Sequence, residues 1–453
     1  MLSKPSPSSC SFASFVMGID NRAICPRSYL KALSFARKLK RYCAKRIAIE
    51  GGNRNGRTAP YPARGSAASR MRAELRLVNA LHRLKERIAI VGVGNTAYGN
   101  FPDIDDYGLG ARAFRSAIED CGLDKNKIDG LLTCRVPYYA RMGEILGLNP
   151  RWTIQLPPHG RMSGMAIIEA AAALDAGLCD YAALIYANIG RSRRVNYGGD
   201  ESPGIWDPWG FTSPGAAHAL MFQRHHALYG TTTRQLAEVS VAFRHHACLN
   251  PSAVMKQPIT IDDHESARFI TEPLRLLDYC LINDGAVCII MTTKERARDL
   301  KKRPVMISGI GAREAYSTAS ISNFDLNFWY DEMRDVADQA YGMAGVGPSD
   351  VDALMCYDNF SPTVLFSLEG LGFCKQGEAG SFVEGGALKL GGRLPTNTDG
   401  GHLSNSYMQG WALNIEAVRQ IRGECGARQV QDAQVVQYCG ATPCSRSIIY
   451  TPG

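Results

Sequence analysis

Three short polar segments, each following a strand-like apolar run or leading into a helical one, hold the residue types that could do chemistry in this chain. They are Pro157-Pro158-His159-Gly160-Arg161-Met162-Ser163-Gly164, then Tyr357-Asp358-Asn359-Phe360, then the stretch from Asn397 to Tyr407, NTDGGHLSNSY. Phenol, carboxyl and imidazole groups transfer protons, and glycine lets a backbone N–H come close to a developing negative charge. Other candidates lack the spacing that their chemistry requires. His225-His226 and His245-His246 lie in helix-like stretches with no Cys or carboxylate at metal-ligand intervals. Gly92-Val93-Gly94 closes a strand-like run but lacks the third glycine of a dinucleotide loop.

The elements that must position these segments follow from periodicity. Arg87 to Gly94 (RIAIVGVG) reads as a strand, Tyr107 to Cys121 as a helix, Ile128 to Cys134 as a strand, Ser163 to Ala176 as an Ala-rich helix ending at Gly177, and Tyr181 to Ala187 as a strand. This alternation predicts an α/β fold with a mostly parallel sheet covered by helices on both faces. The order recurs in the last third, with strands at Arg303 to Gly311, Val351 to Cys356 and Gln434 to Cys439, and helices at Phe328 to Ala344 and Met408 to Arg422. Gly122 to Cys134 and Gly345 to Tyr357 have equal length and place Ile128-Asp129 against Val351-Asp352. A period of about 220 residues indicates a duplicated α/β domain. The halves are expected at 87–302 and 303–453, with an insertion at roughly 190–300 that contains helices at Ala216 to Tyr229 and Thr233 to Cys248. Ligands in open α/β sheets collect beyond the carboxyl ends of the strands, which is where the three polar segments fall.

Composition narrows the class. With 453 residues, 45% hydrophobic and 21% charged, the chain is an ordinary globular protein. Residues 1–86 carry 18 Lys and Arg against 4 Asp and Glu, a balance of +14; residues 87–453 carry the other 33 against 39, a balance of −6. The mildly acidic body does not support nucleic-acid binding. The basic, Ser- and Gly-rich leader reads as a transit peptide, a flexible tail, or sequence upstream of a true start at Met71. No run of about 18 apolar residues suits a membrane span. The 14 Cys are scattered rather than framed as disulfides, the pattern of reduced thiols in a cytoplasmic enzyme. Trp206, Trp209 and Phe211 read equally as an apolar pocket wall or as ordinary core.

From residue 87 onward the chain resembles the thiolase superfamily, and within it the sterol-carrier-protein-x-type branch. The residues that carry the resemblance are the three polar segments, Tyr229-Gly230-Thr231-Thr232-Thr233 with Gln235-Leu236-Ala237, Asn250-Pro251, Pro273 to Gly285 (PLRLLDYCLINDG), Gly391 to Asn397 (GGRLPTN) and Glu416 to Gln420. The resemblance implies duplicated domains forming a five-layered αβαβα sandwich. It also implies a nucleophilic Cys at the start of the Ala-rich helix, where Gly160 stands instead. Histidines are implied where this chain has Tyr357 and Tyr407. The tyrosine pair is similar to that of the nucleophile-lacking, steroid side-chain-cleaving acyl-CoA aldolases. That likeness implies retro-aldol cleavage of a β-hydroxyacyl-CoA, a coenzyme A thioester as substrate and no cofactor bound by this chain.

A tyrosine near pKa 10 is a poor base at neutral pH, so Asp358 and His402 are expected to tune the pair. The enolate is expected to be held near Gly160 and Ser163 or near Gly400-Gly401. Each assignment has a structural rival. The tyrosines are also ordinary packing residues at strand ends, Asp358 a helix N-cap, His402 a loop histidine and Cys439 a buried thiol. Two other functions stand beside the aldolase: a thiolase-type acyltransferase using Ser163 or Cys439, and an inactive acyl-CoA or lipid-binding subunit. The resemblance further implies a homodimer and a small zinc-ribbon and OB-fold partner protein.

Overall fold

The computed structural model describes residues 82–160, 162–195, 213–313, 319–320, 323–324, 329–440 and 446–453. Met71, nearly all of the basic leader, Arg161, Trp206, Trp209 and Phe211 lie outside these residues. The first half contains β1 (Ile88–Asn95), α1 (Asp106–Cys121), β2 (Gly130–Cys134), α2 (Tyr139–Leu146), β3 (Trp152–Leu156), α3 (Met162–Asp175) and β4 (Tyr181–Ile189). Next come α4 (Pro214–Tyr229) and α5 (Thr233–Cys248), and then β5 (Asp284–Thr293). The second half contains β6 (Val305–Ala312), α7 (Asp331–Ala344), β7 (Ala353–Cys356), α8 (Ser361–Gly370), α9 (Trp411–Arg422), β8 (Val436–Cys439) and β9 (Arg446–Pro452), the short helix α6 (Ile261–Ser266) having preceded β5.

The strands form one nine-stranded sheet in the order β7-β8-β9-β6-β1-β5-β4-β2-β3. The halves meet where β1 and β6 pair antiparallel, through Ala89↔Met306 and Ile90↔Val305. Each half runs outward in the same sequence, and Thr396 pairs parallel to Leu354 where β3 flanks β2 in the first half. The duplication seen in the sequence is therefore a duplication of topology.

The expectation of a mostly parallel sheet is corrected. β2 pairs parallel with β3 and β4, and β7 with β8, but β4/β5, β5/β1, β8/β9 and β9/β6 are antiparallel. Each half closes with a strand that runs back antiparallel to both its neighbours, a pairing that needs no crossover connection. Residues 284–293, within the 190–300 stretch, form such a strand, and 446–452 form the other.

Alternation along the strands builds the layers. Ile88 and Ile90 of β1 point into a central core with α3 and α9, while Ala89 and Val91 point to an outer core with α1. In the second half Ala353 and Met355 face the central core, and Leu354 and Cys356 face an outer core with α7. The layers are thus α1, sheet, α3 with α9, sheet, α7, the expected αβαβα sandwich. Helix α3 is apolar on most of its surface because it lies between two sheet faces.

The glycines of β1 serve this packing. A β-carbon on Gly92 would sit 2.6 Å from Ala117 O, and one on Gly94 would overlap the α1 backbone, 2.8 Å from Ser116 C. Helix α1 lies directly on the strand and leaves no room for a nucleotide. Gly94→Ala is expected to destabilise the fold by about 1–3 kcal/mol, the usual cost of overpacking. The check is a lowered urea midpoint at unchanged m-value.

Candidate active site

The three polar segments converge at one place. Tyr357 follows β7 directly, and Tyr407 lies between the tight turn Gly401–Asn405 and α9. Their hydroxyl oxygens are 3.1 Å apart, with the side chains of Cys280 and Leu281 packed against them. Tyr357 is 2% exposed and Tyr407 8%. Burial pushes the Tyr357 phenol well above its ordinary value of 10, and neighbouring Tyr407 adds to the shift.

Gly160, immediately before α3, completes the site. A β-carbon there would overlap Tyr357 Oη and lie 2.6 Å from its Cζ. The phenol thus fills the space that a nucleophilic side chain at 160 would need. Ser163 is no substitute, since it is buried with its Oγ 2.7 Å from Tyr438 Oη. Cys439 is a buried thiol whose side chain belongs to the outer core with Cys356 and approaches Ser367 Oγ at 3.9 Å.

Asp358 and His402 lie beside the pair without facing its oxygens. Asp358 is buried and accepts the backbone N–H of His402 at 2.9 Å and of Leu403 at 3.1 Å. It therefore caps neither α8, whose N-cap is Phe360, nor the phenols; it ties the end of β7 to the turn at 401. Burial raises its pKa well above the usual carboxylate range. His402 Nε2 accepts the Gly410 N–H at 2.9 Å, and Nδ1 lies 3.2 Å from Asp358 Oδ1 but off the line of a hydrogen bond. Its ring stands edge-on to both tyrosines, 4.5 Å from Tyr357 and 5.2 Å from Tyr407 between centroids. Burial lowers its pKa to about 3. Of the two groups expected to tune the pair, Asp358 is bonded to the backbone of the turn and His402 stands edge-on to both rings.

Gly400 and Gly401 are corrected as anion donors too. Gly400 N–H is given to Asn397 O at 2.8 Å and Gly401 N–H to Asp399 Oδ1 at 2.8 Å, so both point into the protein. Gly401 is required for another reason, since a β-carbon there would overlap Asp358 Oδ2. Of the expected anion-holding positions, Gly160 is the one whose backbone adjoins the phenols.

Sequence reasoning missed Asn283. Its Oδ1 accepts the Tyr407 N–H at 2.7 Å, and its carbonyl accepts Asn188 Nδ2 at 3.1 Å. Asn188 Oδ1 in turn accepts Arg135 Nε at 3.0 Å. A chain of buried amides thus connects the ends of β2, β4 and β5 to Tyr407. The only sequence signal is that Asn283 lies near the end of the PLRLLDYCLINDG segment. The paired histidines have structural partners: His225 Nε2 bonds Glu369 Oε1 at 2.8 Å, His226 Nδ1 bonds Thr231 O at 2.8 Å, and His246 Nδ1 bonds Asn397 O at 3.1 Å. Among the described residues no group of three His, Cys, Asp or Glu could hold a metal ion, and no helix is long and apolar enough to cross a membrane.

Two outcomes are expected. Gly160→Ala should drive the Tyr357 ring away and separate the two hydroxyls, which a crystal structure of the variant would read directly. His402 should stay neutral from pH 5 to 8, so that its ring nitrogens do not titrate in 15N NMR. Because its folded pKa of about 3 lies below the unfolded 6.5, its contribution to stability is complete above pH 6.5 and is lost as the pH falls toward 3.

Residues 309–449 match the thiolase C-terminal domain-like family. The chain is 36% identical over 359 residues to the 17-hydroxy-3-oxo-4-pregnene-20-carboxyl-CoA lyase of Mycobacterium tuberculosis, covering 75% of this chain and 92% of that protein. It is 34% identical over 357 residues to a steroid side-chain-cleaving aldolase of Thermomonospora curvata, covering 74% and 90%. The solved Ltp2-ChsH2(DUF35) aldolase superposes with a TM-score of 0.74 at 31% identity, covering 82% of this chain and 98% of that one.

Proposed function

The chain belongs to the thiolase superfamily, in the branch of the steroid side-chain-cleaving acyl-CoA aldolases, and on that premise we propose that it cleaves a β-hydroxyacyl-CoA by retro-aldol chemistry. The observation that carries the reading is the pair of phenol oxygens 3.1 Å apart over Gly160. Such a pair moves protons and forms no acyl-enzyme.

In the proposed reaction one tyrosine takes the proton of the β-hydroxyl. The Cα–Cβ bond breaks, its electrons pass into a thioester enolate, and the β-carbon leaves as a ketone or aldehyde. In the same concerted relay the first tyrosine passes its own proton to the second, whose proton goes to the enolate carbon, so that no oxonium forms. One proton is thus moved net from the hydroxyl to Cα, and both phenols are neutral before and after. That balance suits Tyr357, whose burial disfavours a lasting phenolate. The backbone at Gly160 supplies the close approach needed to hold the enolate oxygen. Asn283, through the Tyr407 N–H, and His402, between the rings, keep the oxygens within proton-transfer distance.

The names of the two curated relatives support a fused-ring, steroid-like acyl group as the substrate, carried as its coenzyme A thioester. We include in the proposal a homodimer, supported by the open outer edge of β3, and a small zinc-ribbon and OB-fold partner protein.

Mass spectrometry of products tests the reading. A β-hydroxyacyl-CoA with a tertiary hydroxyl should yield a ketone and a shortened acyl-CoA. Tyr357→Phe and Tyr407→Phe should each slow this by about 10²–10⁴-fold, the usual worth of a positioned acid or base. Iodoacetamide should leave the rate unchanged. Thiolysis of a β-ketoacyl-CoA by free CoA, with no cleavage of the hydroxy compound, would sink the proposal.

A further inference from the structure

We propose that Asn359 and His218 form a second polar subsite, which binds a hydroxyl group carried on the part of the substrate that leaves as the ketone. This rests on the aldolase reading for the identity of that part, and on separate residues for the binding.

His218 is 5% exposed and lies on α4. Its Nδ1 is 2.7 Å from Pro214 O. A carbonyl only accepts, so Nδ1 carries the proton and Nε2 presents a bare lone pair. Burial lowers the pKa to about 4, and the ring is neutral. The polar atom recorded against Nε2 is Asn359 Nδ2, at 3.4 Å, the far limit of a hydrogen bond. On the other side of the same amide, Asn359 Oδ1 is buried and has no hydrogen-bond partner among the described residues. The site therefore holds unused acceptor capacity.

The surroundings decide what can use it. The His218 ring lies 4.2 Å from that of Phe360, which lies 4.9 Å from that of Tyr279. An anion would meet two acceptors and no positive charge, and a cation would lose its hydration against aromatic rings. A hydrocarbon body bearing one hydroxyl satisfies both the rings and the acceptors.

Position relates the subsite to the reaction. Asn359 is two residues beyond Tyr357, about 7 Å along an extended chain. Its carbonyl accepts the Cys280 N–H at 3.0 Å, and Cys280 packs against the tyrosine pair. The amide thus lies on the α4 side of the phenol pair. On this proposal the leaving fragment extends toward α4, the side on which Asn359 stands. A hydroxyl one ring away from the reacting carbon would reach it.

Binding of unreactive ketones tests this without any turnover. The full-length chain is titrated calorimetrically with trans-1-hydrindanone and with each of its monohydroxylated isomers. At least one isomer should bind about tenfold more tightly than the parent, a gain of about 1.4 kcal/mol. In Asn359→Leu that isomer and the parent should bind alike, and in His218→Phe the gain should shrink in the same direction, which keeps the test open should one variant fail to fold. The absence of any gain in the native chain, the result expected if a tightly held water satisfies Asn359, overturns the proposal. So does a gain that is undiminished in either folded variant. Cleavage is scored separately. A hydroxyl-dependent gain in a chain that cleaves no β-hydroxyacyl-CoA refutes the aldolase and leaves the subsite standing, whereas cleavage with no such gain does the reverse.

Discussion

The site depends on one buried carboxylate. Asp358 follows Tyr357 at the end of β7 and accepts the N–H groups of His402 and Leu403. A carboxylate without water is costly unless its oxygens are occupied, so the two loops are held together by what Asp358 would lose on their parting. Gly401 makes the approach possible, because a side chain there would overlap Asp358 Oδ2. With this clamp closed, Tyr357 on one loop and Tyr407 on the other have one mutual distance. His402, held through its Nε2 by Gly410 N–H, then fills the space between their rings. On the far side of the same turn, Arg244 of α5 donates to Ser404 Oγ at 2.9 Å and Asn250 donates to Asp399 O at 2.9 Å. The helices between the halves are a brace for the turn that carries Tyr407.

The phenol and imidazole groups that this frame presents to a substrate are uncharged. The imidazole of His402 is neutral because burial lowers its pKa, and the Tyr357 phenol is neutral because burial raises its own. Cys280 and Leu281 add apolar wall. A site of this kind is poor at making a lasting ion and good at passing a proton between groups of similar acidity. Net transfer of a proton from a β-hydroxyl to Cα asks for that and nothing more. Acyl transfer asks for a nucleophile at the start of α3, and there the phenol oxygen already occupies the volume.

How much of this is legible in the sequence follows from distance along the chain. Strands β1, β2, β4, β6, β7 and β8 and helices α1, α3, α4, α5, α7 and α9 stand out because their signals are local, being apolar runs closed by glycine or periodic faces. The duplication is legible because Gly122 to Cys134 and Gly345 to Tyr357 keep length and pattern. Strand β9 is not: its apolar run is short, and its partners β6 and β8 determine its direction. The three polar segments are found by their place after strands or before helices, yet the use of each residue in them is not. Asp358 reads as a cap or a catalyst because nothing nearby shows that its donors lie 44 and 45 residues away. Gly400 and Gly401 look like anion donors until Asn397 and Asp399 are seen to take their N–H groups. Asn283 acts on a backbone N–H 124 residues distant and has no local signature.

The departures from the family's residues are therefore one change rather than three. A tyrosine at 357 reaches the start of α3 only if residue 160 has no side chain. The hydroxyl of a tyrosine at 407 meets that of Tyr357 because the first tyrosine reaches that far. Restoring a cysteine at 160 alone would set its β-carbon against the Tyr357 oxygen and part the phenols without giving the thiol a base. The imidazole nitrogen beside the pair, His402 Nε2, is spent on Gly410 N–H, and its withdrawal would loosen the start of α9. The same fold can thus host acyl transfer or carbon–carbon cleavage, but the residues at 160, 357 and 407 have to be exchanged together, because they share one small volume at the N-terminus of α3.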